Sequence, residues 1–155
     1  MSARGFTLIE LLVTLALIGL VASIALPFAE VTVKRNKEAE LRSSLRQIRE
    51  ALDAYKQSVD DGRIPLRAGD SGYPKSLAIL VEGVEDLRDP ARNRIKFLRR
   101  IPRDPFAEAT LAPAMTWGTR SYRSTNEEPR AGEDVYDVYS HSTMLGINGI
   151  PYNQW

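Results

Sequence analysis

An uninterrupted uncharged run from Leu11 to Ala29 constrains the fold of this 155-residue chain more than any other feature. An apolar helix of about 18 residues or more can cross the ~30 Å hydrocarbon core of a bilayer. A helix of a soluble core normally keeps a polar stripe, and this run has none. The average composition, with 43% hydrophobic residues, 26% charged residues and a formal net charge of +1, hides this feature because it is typical of a soluble domain.

Glu10 is the one acidic residue ahead of Glu30, and it adjoins the apolar run. An unpaired carboxylate in hydrocarbon is costly, and no Lys or Arg follows it within the run, so its partner has to come from elsewhere. Three interpretations are open: a secretory signal cleaved near Ser23 and Ala25, an uncleaved membrane anchor, and a short leader removed ahead of the apolar helix. The length of the run and the position of Glu10 argue against a secretory signal.

The stretch RGFTLIELLVTLALIGLVASIALP resembles the N-terminal segment of type IV pilin-like proteins, including the pseudopilins of type II secretion. The resemblance implies a short basic leader, cleavage by a prepilin peptidase between Gly5 and Phe6, and N-methylation of Phe6. It also implies that Glu10 is the assembly glutamate, whose carboxylate meets the new α-amino group of a neighbouring, axially shifted chain. Gly19 and Pro27 stand where the family places residues that loosen the helix, so local helix melting is expected there.

The distribution of basic residues disagrees with the orientation that this resemblance implies. The positive-inside rule places Lys and Arg on the cytoplasmic flank of a span. The leader holds only Arg4, whereas Lys34, Arg35, Lys37 and Arg42 follow the run. Because the leader has to face a cytoplasmic-side peptidase, the motif predicts a single-pass protein of the inner membrane with its C-terminal domain in the periplasm.

Beyond Pro27 the sequence becomes polar but keeps a helical period. Apolar residues at spacings of four and three form one stripe, which is expected to pack on the chain's own C-terminal part: Leu41, Leu45, Ile48, Leu52, Tyr55 and Val59. Glu38 and Arg42 stand four residues apart and predict an exposed ion pair. Asp61, Gly62 and Pro65 predict the end of the helix.

The remainder of the chain predicts a small, loop-rich domain. The stretch SLAILVEGV predicts a short helix ended by Gly83, and the prolines of RRIPRDPF predict an extended loop. Residues 116–123 and 135–141 predict an antiparallel hairpin that packs on the amphipathic helix, and Trp155 is expected to plug the domain. The IP-basic-DP loop resembles one found in major pseudopilins, which favours a pseudopilin over a pilin.

The predicted fold class is α+β, a pilin-like fold in which a long N-terminal helix packs on a small antiparallel sheet with long loops. The expected divisions are a leader over residues 1–5, a transmembrane and assembly helix over 6–29, the amphipathic half of the same helix over 30–59, and a periplasmic domain over 60–155.

Residues that support catalysis or metal binding are scarce. His141 is the only histidine and Cys is absent, which argues against a histidine metal cluster, a Ser-His-Asp triad and a thiolate site, so the chain is not expected to be an enzyme. The resemblance to major pseudopilins implies a calcium ion held by acidic side chains after the last strand. The matching stretch STMLGINGIPYNQW has no Asp or Glu. No cofactor is predicted, and calcium remains open without an assigned ligand.

Two charged clusters have ordinary interpretations. The acidic residues around the hairpin turn lack the spacing of a calcium loop, so a solvated turn is expected: Glu127, Glu128, Glu133, Asp134 and Asp137. A basic run is of the kind that contacts phosphates, but Phe97 alone accompanies it as an aromatic residue, which argues against nucleic acid as a partner. Its members are Arg88, Arg92, Arg94, Lys96, Arg99, Arg100 and Arg103.

The leading hypothesis is a pseudopilin, a structural subunit of the periplasmic pseudopilus in type II protein secretion. Its expected partners are further copies of the chain in a helical filament, the prepilin peptidase, other pseudopilins, inner-membrane secretion assembly proteins and the lipid bilayer. The alternative is a type IV pilin subunit, major or minor, for adhesion, motility or DNA uptake. A third interpretation is a secreted globular protein cut near Ala25.

Overall fold

The structure, a computed structural model, describes residues 7–155, apart from the side chains of residues 24–27. The chain divides into two compact units, Met1–Lys37 and Glu38–Trp155. A long helix, two short strand pairs and long loops make up the described residues. The predicted α+β class, with a long N-terminal helix and small antiparallel sheets, is therefore confirmed.

Helix α1 runs from Leu8 to Asp60. Within it, a window of 18 residues has a mean hydropathy of 2.5 and none of that window is buried, so by length and composition α1 can cross a membrane. The helix ends where the sequence predicts. Gly62 has a φ of 69°, in the left-handed region, and the amides of Gly62 and Arg63 donate to the carbonyls of the last helical turn.

The predicted apolar stripe of α1 is the core of the second unit. Leu41 and Ile48 are fully buried and Leu52 is 1% exposed. They pack in one cluster with apolar residues from the later segments: Leu77, Leu80, Leu98, Trp117, Val135, Val138 and Tyr152. The prediction that the stripe packs on the chain's own C-terminal part is confirmed.

Helix α2 covers Leu77–Glu82 and ends at Gly83, as predicted. Gly83 has a φ of 79°, and a Cβ there would lie 2.6 Å from the carbonyl oxygen of Ile95, so only glycine fits. Strands β1 (Val84–Glu85) and β2 (Arg94–Ile95) follow as an antiparallel pair. This pair was not predicted, because two-residue strands carry no periodic pattern.

Strands β3 (Trp117–Arg120) and β4 (Asp137–Ser140) form the predicted antiparallel hairpin, with Trp117 opposite Ser140. Both strands are shorter than predicted. The amide of Ser121 donates to the carbonyl of Arg130 at 2.9 Å instead of continuing the ladder with β4. The connection is therefore a long folded loop. One 3₁₀ turn, Pro113–Thr116, precedes β3, and another, Tyr152–Gln154, follows β4.

Candidate assembly site

The first turn of α1 carries Glu10, the residue that the sequence predicts for subunit assembly. The Glu10 amide donates to Oγ1 of Thr7 at 3.3 Å, and the Thr7 amide donates to Oε2 of Glu10 at 3.5 Å. This reciprocal arrangement is a capping box, in which two otherwise unpaired amides at a helix start are satisfied. The role of Thr7 as the N-cap of this helix was not predicted, although the spacing T-x-x-E ahead of an apolar run is a signal for a capping box.

The part of α1 over residues 8–23 exposes its apolar side chains on all sides. Ten large apolar residues are each more than half exposed: Leu8, Ile9, Leu11, Leu12, Val13, Leu15, Leu17, Ile18, Leu20 and Val21. A surface of this kind requires an apolar surrounding, whether lipid or neighbouring helices, because contiguous apolar patches of this extent are rare on soluble monomers.

The hydroxyl groups in this part of the helix are satisfied within it. Thr14 donates to the Leu11 carbonyl at 2.9 Å, and Ser23 donates to the Leu20 carbonyl at 2.7 Å. Such back-bonding lets a hydroxyl enter hydrocarbon without an unpaired donor. Within residues 7–155 the Glu10 carboxylate accepts the Thr7 amide and forms no ion pair.

The structure describes only two of the other predicted site residues, Gly19 and Pro27. Gly5 and Phe6 lie outside the described residues. Gly19 and Pro27 both lie inside α1, and a Cβ added at Gly19 would meet nothing within 4 Å, so no contact within the described chain requires glycine there. Cleavage, methylation and helix melting stay predictions.

Residues 142–155, here called the post-hairpin segment, bind to the buried face of α1. Oε1 of Glu38 accepts the amide of Ile147 at 2.8 Å and the hydroxyl of Tyr152 at 2.9 Å. Burial and the hydrogen bond to Glu38 raise the pKa of Tyr152 to about 12. Arg42 stacks on the Trp155 ring, with its guanidinium carbon 4.4 Å from the ring centroid.

The ion pair predicted between Glu38 and Arg42 is therefore wrong. Glu38 is 5% exposed, and each side chain contacts the post-hairpin segment instead. Glu38 stands three residues before Leu41 and seven before Leu45, so it continues the apolar stripe of α1. That position is the signal that would have identified Glu38 as a buried residue.

Arg49 of α1 joins strand β4 to the post-hairpin segment. Its Nε donates to Oδ1 of Asp137 at 2.8 Å, and its Nη2 donates to the main-chain oxygens of Trp155 at 2.9 Å and Val138 at 3.2 Å. Asp137 also pairs with Arg120 at 3.2 Å. Asp137, counted above among the acidic turn residues, is thus engaged in ion pairs. The expected packing of Trp155 agrees with its edge-to-face contact with Tyr152 at 5.0 Å.

The post-hairpin segment does not fit the calcium site that the family resemblance implies. Calcium takes about six to eight oxygen ligands, usually including carboxylates, and this segment has no acidic side chain. Asn153 Oδ1 is buried without a hydrogen-bond partner, but one neutral amide oxygen does not make a cation site. Among the described residues no group of three or more His, Cys, Asp or Glu side chains is arranged to hold a metal ion.

The side chains of the basic run do not form one continuous surface, because some of them bond within the domain. Arg94 donates to the Gly83 carbonyl at 2.7 Å, Arg103 donates to the carbonyls of Glu108 and Leu111, and Arg92 pairs with Glu85 at 3.5 Å. Three of its arginines therefore stabilise nearby loops and strands, while Arg99 and Arg100 are exposed.

The loop with two prolines is tied to the hairpin by a buried carboxylate that sequence reasoning missed. Asp104 is 1% exposed, and its carboxylate accepts the Ser140 hydroxyl at 2.5 Å and the Phe106 amide at 2.8 Å. The Trp117 indole donates to the Pro102 carbonyl at 2.8 Å. The extended loop was predicted, but its anchoring partners lie on distant strands and leave no local signal.

The chain is similar to known proteins both in its N-terminal segment and over nearly its whole length. Residues 1–26 match the family described as the prokaryotic N-terminal methylation motif. The chain is 30% identical over 150 residues to the type II secretion system core protein G of Klebsiella pneumoniae, covering 96% of this chain and 87% of that protein. It is 26% identical over 148 residues to the core protein G of Pectobacterium carotovorum subsp. carotovorum, covering 96% and 78%.

A type IV pilin is also related. The type IV major pilin protein PilA of Myxococcus xanthus is 34% identical over 99 residues, which covers 57% of this chain and 45% of that protein. No solved structure matches the chain. The apolar helix and the matched N-terminal motif are consistent with anchoring in the inner membrane.

Proposed function

The chain belongs to the type II secretion system core protein G family, and from this we propose that it is a pseudopilin, a structural subunit of a periplasmic pseudopilus. In this role it catalyses nothing and is itself the substrate of a prepilin peptidase. The observation that carries the proposal is similarity over nearly the whole chain, together with the methylation motif over residues 1–26.

The exposed apolar surface of α1 supports a role in assembly. Burying one large apolar side chain is worth about 1.5–3 kcal/mol, and ten such side chains lie between Leu8 and Val21 with more than half of their surface exposed. A bilayer buries this surface before assembly, and neighbouring helices bury it within a filament. The subunit can therefore move from one apolar surrounding to the other without exposing the helix to water.

Glu10 supplies the specific contact in this proposal. Its carboxylate is exposed and forms no ion pair within residues 7–155. Cleavage after Gly5 would create an α-amino group on Phe6, and that amine in a neighbouring chain would neutralise the Glu10 carboxylate in the apolar interior. One pair of this kind per subunit would set the axial stagger between chains.

Two variants separate the charge of Glu10 from its part in the capping box. Glu10→Gln keeps an oxygen that can accept the Thr7 amide but removes the charge, whereas Glu10→Ala removes both. Both variants are expected to be processed normally, as read by intact mass and N-terminal sequencing, and to be absent from the filament-length products that cross-linking in the periplasm gives with the wild type. Glu30→Gln, a change at an exposed acid further along α1, is the matched control and is expected to assemble.

Glu10→Gln shows whether assembly depends on the charge of Glu10 or on its role in the capping box. Normal assembly of Glu10→Gln beside failure of Glu10→Ala would show that the cap matters and the charge does not. N-terminal sequencing of the wild type also tests processing: a methylated Phe6 is expected, whereas a start after Ala25 would support the secreted-protein interpretation instead.

A type IV pilin subunit for adhesion, motility or DNA uptake is the second candidate, favoured by the similarity to the Myxococcus xanthus pilin. DNA uptake requires a surface that binds phosphates, and Arg99 and Arg100 are the exposed adjacent cations available for it. We expect duplex DNA to bind the full chain in detergent no more tightly than it binds the variant with both arginines changed to alanine. A salt-dependent affinity that falls in the variant would favour the pilin.

A further inference from the structure

The post-hairpin segment has no acidic side chains that could hold a cation, so other contacts must keep it folded. The segment folds on itself through backbone hydrogen bonds, from the Gly146 amide to the Ile150 carbonyl at 2.9 Å and from the Tyr152 amide to the Met144 carbonyl at 3.1 Å. These bonds shape the loop but do not attach it to the rest of the domain.

Helix α1 supplies the attachment at one buried carboxylate. Oε1 of Glu38 accepts two donors from the segment, the Ile147 amide at 2.8 Å and the Tyr152 hydroxyl at 2.9 Å. Glu38 is 5% exposed and Tyr152 is fully buried. A hydrogen bond to a charged acceptor is stronger than one between neutral groups, and it strengthens further where water is excluded.

Aromatic and cationic contacts extend this attachment along the segment. The Tyr152 ring stacks on Phe106 with centroids 4.1 Å apart and meets Trp155 edge-to-face at 5.0 Å. Arg42 covers the Trp155 ring, and Arg49 donates to the Trp155 main-chain oxygen at 2.9 Å. Two cationic side chains against one segment also oppose the binding of a metal cation there.

We propose that Glu38 and Tyr152 lock the post-hairpin segment onto α1 in place of a metal ion, so that this subunit folds without calcium. The carboxylate that carries the lock belongs to α1 and not to the segment, and its partners are protein donors. The inference concerns the fold of the single subunit, so its outcome does not depend on whether the chain forms a pseudopilus.

The first test uses the full chain in detergent, with calcium chloride as the probe. Thermal unfolding is followed by circular dichroism after treatment with a chelator, and then with calcium or magnesium chloride added in excess. We expect the same midpoint in all three conditions. A structural calcium site would instead raise the midpoint by about 5–10 °C when calcium is restored, and that result would overturn the proposal.

The second test uses variants of the lock without added metal. Glu38→Ala removes the acceptor of the Ile147 amide and leaves the buried Tyr152 hydroxyl without one, and we expect the midpoint to fall by about 5–15 °C. Tyr152→Phe keeps the ring and loses one hydrogen bond, so a smaller fall of about 3–8 °C is expected, and it serves where Glu38→Ala does not fold. Glu40→Ala, at an exposed acid of the same helix, is the matched control.

Limited proteolysis with mass spectrometry locates the effect. Cleavage within residues 142–155 is expected to accelerate in Glu38→Ala and Tyr152→Phe while the wild type and Glu40→Ala stay resistant, with or without the chelator. If Tyr152→Phe matches the Glu40→Ala control in both midpoint and cleavage, the lock does not hold the segment and the proposal fails.

Discussion

The Glu38 carboxylate accepts the Tyr152 hydroxyl at 2.9 Å, joining the buried face of α1 to the last 3₁₀ turn of the chain. Both side chains are buried, so the hydrogen bond forms away from water. The ionisation of Tyr152 is therefore linked to folding, because a phenolate beside the carboxylate would place two negative charges together inside the domain.

Tyr152→Phe is expected to lower the free energy of unfolding by about 1–3 kcal/mol at neutral pH. Burial and the hydrogen bond to Glu38 raise the pKa of Tyr152 from 10.0 to about 12. The contribution of Tyr152 is thus complete below pH 10, where both states hold the proton, and is lost as the pH rises toward about 12. Urea unfolding of both proteins across this range should show the difference between them shrinking.

Other groups titrate in the same range, but they are common to both proteins. The difference between wild type and Tyr152→Phe therefore isolates this one hydroxyl. A difference that stays constant from pH 8 to about 12 would contradict the linkage.

The two halves of α1 are expected to respond in opposite ways to loss of an apolar side chain. Ile48 is fully buried, whereas Ile18 is 64% exposed. Ile48→Ala creates a cavity and should cost about 2–5 kcal/mol of unfolding free energy, while Ile18→Ala should change it by less than about 0.5 kcal/mol. Denaturant unfolding in detergent measures both, and equal effects would show that the stripe is not the core.

The contrast between these halves was readable from the sequence, because hydrophobic periodicity is a local signal. The spacing alone predicts a buried stripe that includes Leu41, Ile48 and Leu52. The end of α2 was equally readable, since Gly83 follows a short apolar run. Features of this kind need no knowledge of distant partners.

The burial of Glu38 and Asp104 was not predicted from local sequence patterns. Each is a carboxylate that sequence statistics place on the surface, and each is buried where it accepts a hydroxyl from far along the chain. The position of Glu38 on the apolar stripe was a usable hint. Asp104 offered none, because its partner Ser140 lies on a strand that has no cleanly apolar face.

The anchoring of the two-proline loop gives a further prediction. Asp104→Ala leaves the Ser140 hydroxyl and the Phe106 amide without their acceptor and is expected to lower the unfolding free energy by about 2–4 kcal/mol. Asp104→Asn keeps an acceptor oxygen and should cost less. Glu108→Gln, at an exposed acid of the same region, is the control. Denaturant unfolding measures all three, and an Asp104→Ala effect no larger than the control would contradict the anchoring.

The pair Arg63 and Asp86 is expected to control stability in acid. The Arg63 guanidinium donates to Asp86 at 2.6 Å, and this hydrogen bond holds the pKa of Asp86 below its ordinary value of 3.8. A carboxyl with a lowered pKa contributes stability above its ordinary value and loses that contribution as the pH falls through the lowered one. Arg63→Met should therefore be less stable than wild type at neutral pH, with the gap closing below pH 3.8.

The control for this pair is a change that leaves the contact intact. Arg67→Met, at a nearby exposed arginine, should follow the wild type at every pH. Thermal midpoints at several pH values between about 2 and 7 measure the gap. A gap that persists unchanged in acid would mean that Arg63 acts by packing and not through the Asp86 carboxylate.

The orientation of the chain in the membrane gives the last prediction. A reporter that is active only in the periplasm, such as alkaline phosphatase, should be active when fused after Trp155, whereas a reporter restricted to the cytoplasm should be silent. Changing Lys34, Arg35 and Lys37 to alanine should leave both signals unchanged, because the N-terminal motif and not the count of flanking charges sets the orientation. Activity of the cytoplasmic reporter alone would place the domain on the other side and contradict the proposed pseudopilin role.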